Sequence, residues 1–111
     1  MYKIIEGRGT GKTKRLMEEA YNHKGIFVCK NAMHMREKAN SYGFTGLQIM
    51  SFKDFIEEIK EHEFEYTNIQ AKGFRDDCGR GIYIDELESF VNYLCFNKFK
   101  GYTISETYYE I

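Results

Sequence analysis

A chain of 111 residues has room for one domain built on one hydrophobic core. Apolar residues make up 42%, and 9 Tyr plus 9 Phe supply bulky core material, which excludes a disordered chain. The 16 basic and 17 acidic side chains nearly cancel to −1, so no basic excess argues for wrapping nucleic acid.

The cysteines Cys29, Cys78 and Cys95 are odd in number and widely spaced. That is no disulfide framework, and no Cys-x-x-Cys pair suggests zinc. They read as reduced thiols, with Cys29 and Cys95 expected in the core. The longest clearly apolar run, residues 26–29, is far too short to span a membrane, and no signal peptide opens the chain. The expectation is a cytoplasmic protein without a membrane segment.

In chain order, residues 2–6 read as a short strand around Ile4 and Ile5, broken by the glycines that follow. A helix is expected over 12–22, with Leu16, Met17, Ala20 and Tyr21 on one face. Gly25 resets the chain, and 26–29 reads as a fully buried strand. Asn31 is an N-cap for a helix carrying Ala32, Met35, Arg36 and Ala39, with Gly43 as its stop. Residues 47–50 form a third strand. Ser51, with Asp54 three positions on, opens a helix whose core face is Phe52, Phe55, Ile56 and Ile59.

Phe64 and Tyr66 alternate with Glu63 and Glu65, which predicts an exposed strand over 63–67. The polar, glycine-containing stretch 71–81 reads as a loop. Residues 82–84 form a strand ending at Asp85 and Glu86. Leu87, Phe90, Val91, Leu94 and Cys95 then mark a helix. Residues 102–105 are a candidate last core strand, and 107–111 one more strand or a frayed end. Strands alternating with helices predict an α/β fold, a mostly parallel sheet with helices on both faces. Such sheets bind ligands at the carboxyl ends of their strands.

Two segments sit at such ends. The first reads Gly7-Arg8-Gly9-Thr10-Gly11-Lys12-Thr13. Its glycines let backbone N–H groups converge on an anion, and the following helix adds its positive dipole end. Lys12 is placed to reach terminal phosphates, and the Thr13 hydroxyl to ligate Mg²⁺. This is a P-loop, except that the pattern's first glycine falls at Glu6. A carboxylate facing phosphates would repel them, so Glu6 is expected to point away. The competing account is a glycine-rich turn with an accidental lysine.

The second segment, Ile82-Tyr83-Ile84-Asp85-Glu86, delivers two carboxylates on an apolar strand, as a Walker B motif does. Asp85 would hold Mg²⁺ opposite Thr13, and Glu86 would polarise the attacking water as general base. The alternative is that the pair caps the helix beginning near Leu87.

The order of P-loop, strand 26–29, strand 47–50 with Ser51-Phe52, then Asp85-Glu86 resembles the first ATPase domain of superfamily 1 helicases. It is also similar to small stand-alone ATPases of bacteriophages. The resemblance covers about residues 2–105. It implies a three-layer P-loop NTPase core of the RecA-like class, with ATP as ligand, Mg²⁺ as cofactor, and Lys12 and Glu86 in catalysis. It also implies a role in nucleic-acid metabolism, acting with a protein partner or as a homo-oligomer. The second ATPase domain, which supplies an arginine finger in helicases, has no counterpart here. Leu87 and Glu88 stand where helicases carry a glutamine after Asp-Glu. Thr103 or Ser105 is a candidate polar sensor, and Arg8, Arg75 and Arg80 are candidate fingers acting in a neighbouring subunit.

The remaining polar residues have plainer readings. His23, His34 and His62 fit no metal spacing and read as surface residues. Lys14 and Arg15 are read as a solvated helix face in preference to one turned toward phosphates or nucleic acid, and the acidic stretch from Glu57 to Glu65 reads as a solvated face. Phe96, Phe99, Tyr102, Tyr108 and Tyr109 crowd the C-terminal end, as core or as a partner surface. Besides the ATPase, two other functions are considered. One is a non-enzymatic nucleotide-binding module that regulates or inhibits a larger ATPase or defence machine. The other is a small kinase, disfavoured because no arginine-rich lid is recognisable.

Overall fold

The computed structural model describes residues 2–7, 9–71 and 81–105, the side chains of 62–71 excepted. The elements run α1 (Lys12–Asn22), β1 (Ile26–Cys29), α2 (Ala32–Ser41), β2 (Gln48–Ser51), α3 (Phe52–Ala71), β3 (Ile82–Ile84) and α4 (Leu87–Leu94). Each connection between consecutive strands carries a helix, the condition that allows parallel pairing. The three strands form one parallel sheet in the order β2-β1-β3. Ile26 to Cys29 lie opposite Gln48 to Ser51 on one side, and Ile26 to Val28 lie opposite Ile82 to Ile84 on the other.

Side-chain alternation along the central strand makes a core on each face of the sheet. Phe27 and Cys29 pack with Met17 and Ala20 of α1, Ala32 and Ala39 of α2, and Ile49 of β2. Val28 points the other way, onto Phe52 of α3 and Phe90 of α4. The Phe52 and Phe90 rings meet edge-on with centroids 5.1 Å apart. Burial on both faces explains why the sequence of β1 is apolar throughout.

The helix signals act as expected at three places. The Asn31 side chain accepts from the His34 N–H at 3.1 Å, and Ser51 Oγ accepts from the Asp54 N–H at 3.1 Å. Gly43 adopts φ 86° and closes α2, with Gly43 N–H on Asn40 O and Phe44 N–H on Ala39 O. That pair of bonds is a Schellman motif, whose left-handed position glycine occupies without strain.

Four expectations need correction. Residues 2–6 form no strand, so the chain reaches the glycine loop from outside the sheet. Only Ile4 of that segment is even half-buried, while Ile5 is 68% exposed, so pairing it would bury little apolar area. Residues 63–67 lie inside α3 instead of a strand. No glycine or proline interrupts 52–71, and a helix already nucleated at Ser51 propagates through a five-residue alternation. Residues 102–105 form no strand. Tyr102 OH is tied to α4 by its hydrogen bond to Glu88, and Tyr102 stays exposed. Cys29 is buried, but Cys95 is exposed, because it is the C-cap of α4 and lies beyond that helix's packed turns. The expectations for 107–111, Cys78 and the Arg75 and Arg80 loop lie outside the described residues.

The return from α1 to β1 depends on Gly25. Its N–H bonds Ala20 O at 2.8 Å, and the next N–H, of Ile26, bonds Gly81 O at 2.8 Å. A Cβ at this position would stand 2.4 Å from the Tyr83 ring and 2.7 Å from the Gly81 carbonyl oxygen. The backbone oxygen cannot rotate away as a side chain can. Gly25→Ala should therefore lower stability by about 1–3 kcal/mol. Urea denaturation checks this, and an unchanged midpoint would contradict the packing described.

Candidate functional site

The sheet delivers its chemistry at the carboxyl edge. β3 ends at Ile84, and the Asp85 N–H still bonds Val28 O at 2.9 Å, so the ladder fixes the Asp85 backbone. Its side chain turns inward and is buried, the only buried charged side chain among the described residues. There it meets the start of α1: Thr13 Oγ1 donates to Asp85 Oδ1 at 3.2 Å. The neighbouring pair also meets, with Lys12 Nζ 3.0 Å from Glu86 Oε1. Two consecutive residues of the glycine loop thus touch two consecutive acids lying more than seventy residues later.

Gly9 at φ 78° and Gly11 at φ 75° are left-handed and flank Thr10, which is not. Alternation of this kind turns successive N–H groups toward one concave side. Thr10 Oγ1 donates to Gly7 O at 2.9 Å and tightens the turn. No side chain caps α1, and its first turn carries no acid. Its leading N–H groups therefore have no capping side chain, which is what an anion would use. Gly7 lies on the same loop, whereas Arg8 is outside the described residues.

Burial is the main reason that the Asp85 carboxyl sits above its ordinary range. The Thr13 hydrogen bond works against it, the Glu86 charge adds to it, and Lys12 and Lys38 oppose it. A bound cation would reverse the balance by stabilising the ionised form. One carboxylate and one hydroxyl are hard oxygen donors that suit Mg²⁺, which takes few protein ligands and completes its shell with phosphates and water. Among the described residues no cluster of three His, Cys, Asp or Glu is assembled to hold a metal without such help.

Glu86 occupies a strained position, φ 59° and ψ 69°, at the N-cap of α4, and its side chain makes no capping hydrogen bond. The carboxylate is half-exposed beside Lys12, where a water can reach it. Cys29 lies near Asp85, but burial pushes its thiol up to about 11, the Asp85 charge adding to the effect. A thiol of that kind is not a nucleophile at neutral pH. His23 pairs with Glu19, and the His34 side chain is exposed on α2. Thr103 and Ser105 are exposed and lie on no strand, so neither is positioned as a sensor at a strand end.

One contribution was not foreseen in the sequence. Arg15, read as a solvated helix residue, reaches back to the Glu6 carboxylate, with Nη2 2.7 Å from Oε1 and 2.5 Å from Oε2, and lies 3.4 Å from Thr10 O. Nine residues separate the pair, and the helical geometry of α1 with the loop folded back is what joins them. An acid at the first position of the loop together with a base three residues into the helix was the available signal.

The chain matches no family model, no curated protein and no solved structure.

Two stability consequences follow from this geometry. Asp85 has its folded pKa raised above the unfolded value, so the buried charge lowers stability as pH rises through the interval between the two, and the loss disappears below both. Asp85→Asn should therefore raise the melting temperature at pH 7 without Mg²⁺, with the gain vanishing under acid conditions. A gain that persists unchanged at low pH would exclude burial of charge as its cause. Glu86→Gly relieves a left-handed backbone at the expense of an exposed ion pair. It should leave stability unchanged or raise it by up to about 1 kcal/mol, as thermal unfolding would show.

Proposed function

We propose that this protein binds ATP with Mg²⁺ through Gly7, Arg8, Gly9, Thr10, Gly11, Lys12 and Thr13, and hydrolyses its β–γ bond. One observation carries the reading: the Lys12 and Thr13 side chains meet the Asp85 and Glu86 carboxylates at one edge of a parallel sheet. A glycine turn preceding a helix by accident gives no reason for a buried acid to await it there. The three-stranded parallel sheet with helices on both faces supports a small P-loop NTPase core of the RecA-like class.

In this reading the loop amides and Lys12 hold the β- and γ-phosphates, with Lys12 exchanging its Glu86 partner for phosphate oxygens. Thr13 and Asp85 hold Mg²⁺, which when bound neutralises charge developing on the phosphates. Glu86, released from Lys12, takes a proton from the water that attacks the γ-phosphorus. The β–γ bridging oxygen leaves with ADP. Hydrolysis by the isolated chain is expected to be slow, since an arginine finger is worth about 10³ to 10⁵ in rate. A protein partner or second copy is proposed as its source, in the setting of nucleic-acid metabolism. Exposed Ile82 and Leu87, either side of the two acids, support such a contact. The second reading is a nucleotide-binding module that regulates a larger ATPase. The Lys12–Glu86 pair favours it in one respect, since it occupies the proposed base.

Lys12→Ala should weaken ATP binding at least tenfold, about 1.4 kcal/mol, with the fold intact, and calorimetry showing equal affinity would remove the P-loop assignment. Glu86→Gln should lower hydrolysis by roughly 10² to 10⁴ while affinity holds or rises. If the wild-type chain binds ATP but never turns it over with any partner, the regulatory module takes the enzyme's place.

A further inference from the structure

The Glu6 carboxylate stands where the phosphate-loop pattern has a glycine, one residue before Gly7. Left free beside the loop, it would place a negative charge next to a bound triphosphate. Instead it is engaged on both oxygens by Arg15 Nη2, from the first turns of α1. The same guanidinium nitrogen lies 3.4 Å from the Thr10 carbonyl, inside the loop. Glu6 also contributes its backbone: its carbonyl oxygen is 3.4 Å from Lys12 Nζ. Backbone and side chain therefore have different principal partners, the carbonyl Lys12 and the carboxylate Arg15.

We infer that Arg15 is a positioning residue for the phosphate loop, masking the Glu6 charge so that an anion can occupy the loop. The inference rests on the nucleotide-binding reading and adds to it a residue outside the P-loop pattern. Arg15 acts through Glu6 and does not touch the phosphates. The pair is solvent-exposed, so its effect is on the local charge and shape of the loop and not on overall stability. Hydrogen bonding to Arg15 foremost, with its charge, Thr10 and Lys12 assisting against slight desolvation, holds the Glu6 carboxyl below its ordinary range.

The decisive comparison is AMP-PNP binding with Mg²⁺, by calorimetry, to the wild type, Arg15→Ala, Glu6→Gln and the double variant. Arg15→Ala should bind about tenfold more weakly. Glu6→Gln should bind at least as tightly as the wild type. The double variant should recover to within about twofold of the wild type, since removing the carboxylate removes the need for its mask. Arg15→Ala binding as the wild type does would overturn the inference while leaving the nucleotide reading intact. A double variant as weak as Arg15→Ala would overturn it differently, by showing that Arg15 meets the phosphates itself. A wild type that binds no AMP-PNP would remove both readings together. Carboxyl NMR titration of the nucleotide-free protein gives a separate readout. Glu6 should titrate low in the wild type and return toward the ordinary glutamate value in Arg15→Ala, and an ordinary value in the wild type would overturn the pairing.

Discussion

The hydrogen bond from Thr13 to Asp85 joins the two halves of the site, and the rest of the structure is arranged around it. A carboxylate carried into a protein interior is costly unless something there compensates it. β3 is short and, among the described residues, pairs with β1 alone. The ladder bond from Asp85 N–H to Val28 O fixes the backbone, and α1 brings the hydroxyl to it. Met17 and Ala20, one and two turns further along α1, are fully buried against Phe27 and Cys29. Packing of the helix thus sets where the loop sits. The polar contact sets which face of the loop turns to the acids.

Around that junction several local rules of folding are broken. Asp85 is a charge in the interior, Glu86 is a left-handed non-glycine residue, and α1 starts without a capping side chain. Each is unfavourable taken alone, by about 1 kcal/mol or more for the αL backbone and by roughly a few tenths of a kcal/mol for a glycine in place of a capping side chain. Strain of this sort persists where surrounding structure over-determines it, and it gathers at ligand sites. By contrast, α2 and α3 obey the same rules at Asn31, Gly43 and Ser51. Left-handed non-glycine backbone also occurs at Lys24, Phe96 and Asn97, so it is the buried charge of Asp85 that sets the carboxyl edge apart among the described residues.

Much of this arrangement was legible in the residues. Fully apolar 26–29, set off by Gly25, reads as a buried strand, and Asn31, Gly43 and Ser51 announce helix ends through side-chain or backbone chemistry that acts locally. The glycine loop and the Asp-Glu pair were legible for the same reason, since each is a short motif at a strand or helix end. The failures share a different cause. Whether residues 2–6 or 102–105 pair is decided by which strand edge is available and how much apolar surface pairing would bury, and neither is a local property. In 63–67 a period-two pattern lost to a helix already under way. Arg15 escaped notice because its partner, Glu6, comes close only when the loop folds back on the helix.

In the proposed reading, the Lys12–Glu86 ion pair bears on how binding and chemistry are ordered. Lys12 and Glu86 satisfy each other at 3.0 Å, with side chains 24% and 51% exposed. An ion pair this open to water contributes on the order of 0–1 kcal/mol, so it orients both groups without holding them firmly. A triphosphate offers Lys12 several charged oxygens and offers the loop amides an acceptor besides, and charge-assisted bonds to phosphate are roughly twice as strong as neutral ones. In the proposed reading, exchange would therefore run toward the ligand. The same exchange strips Glu86 of its cation, and a carboxylate without a cation is a better proton acceptor than one that has it. In the proposed reading, a triphosphate in the loop would then create the base that hydrolysis needs, and the Lys12–Glu86 pair would otherwise hold that base in a less reactive state.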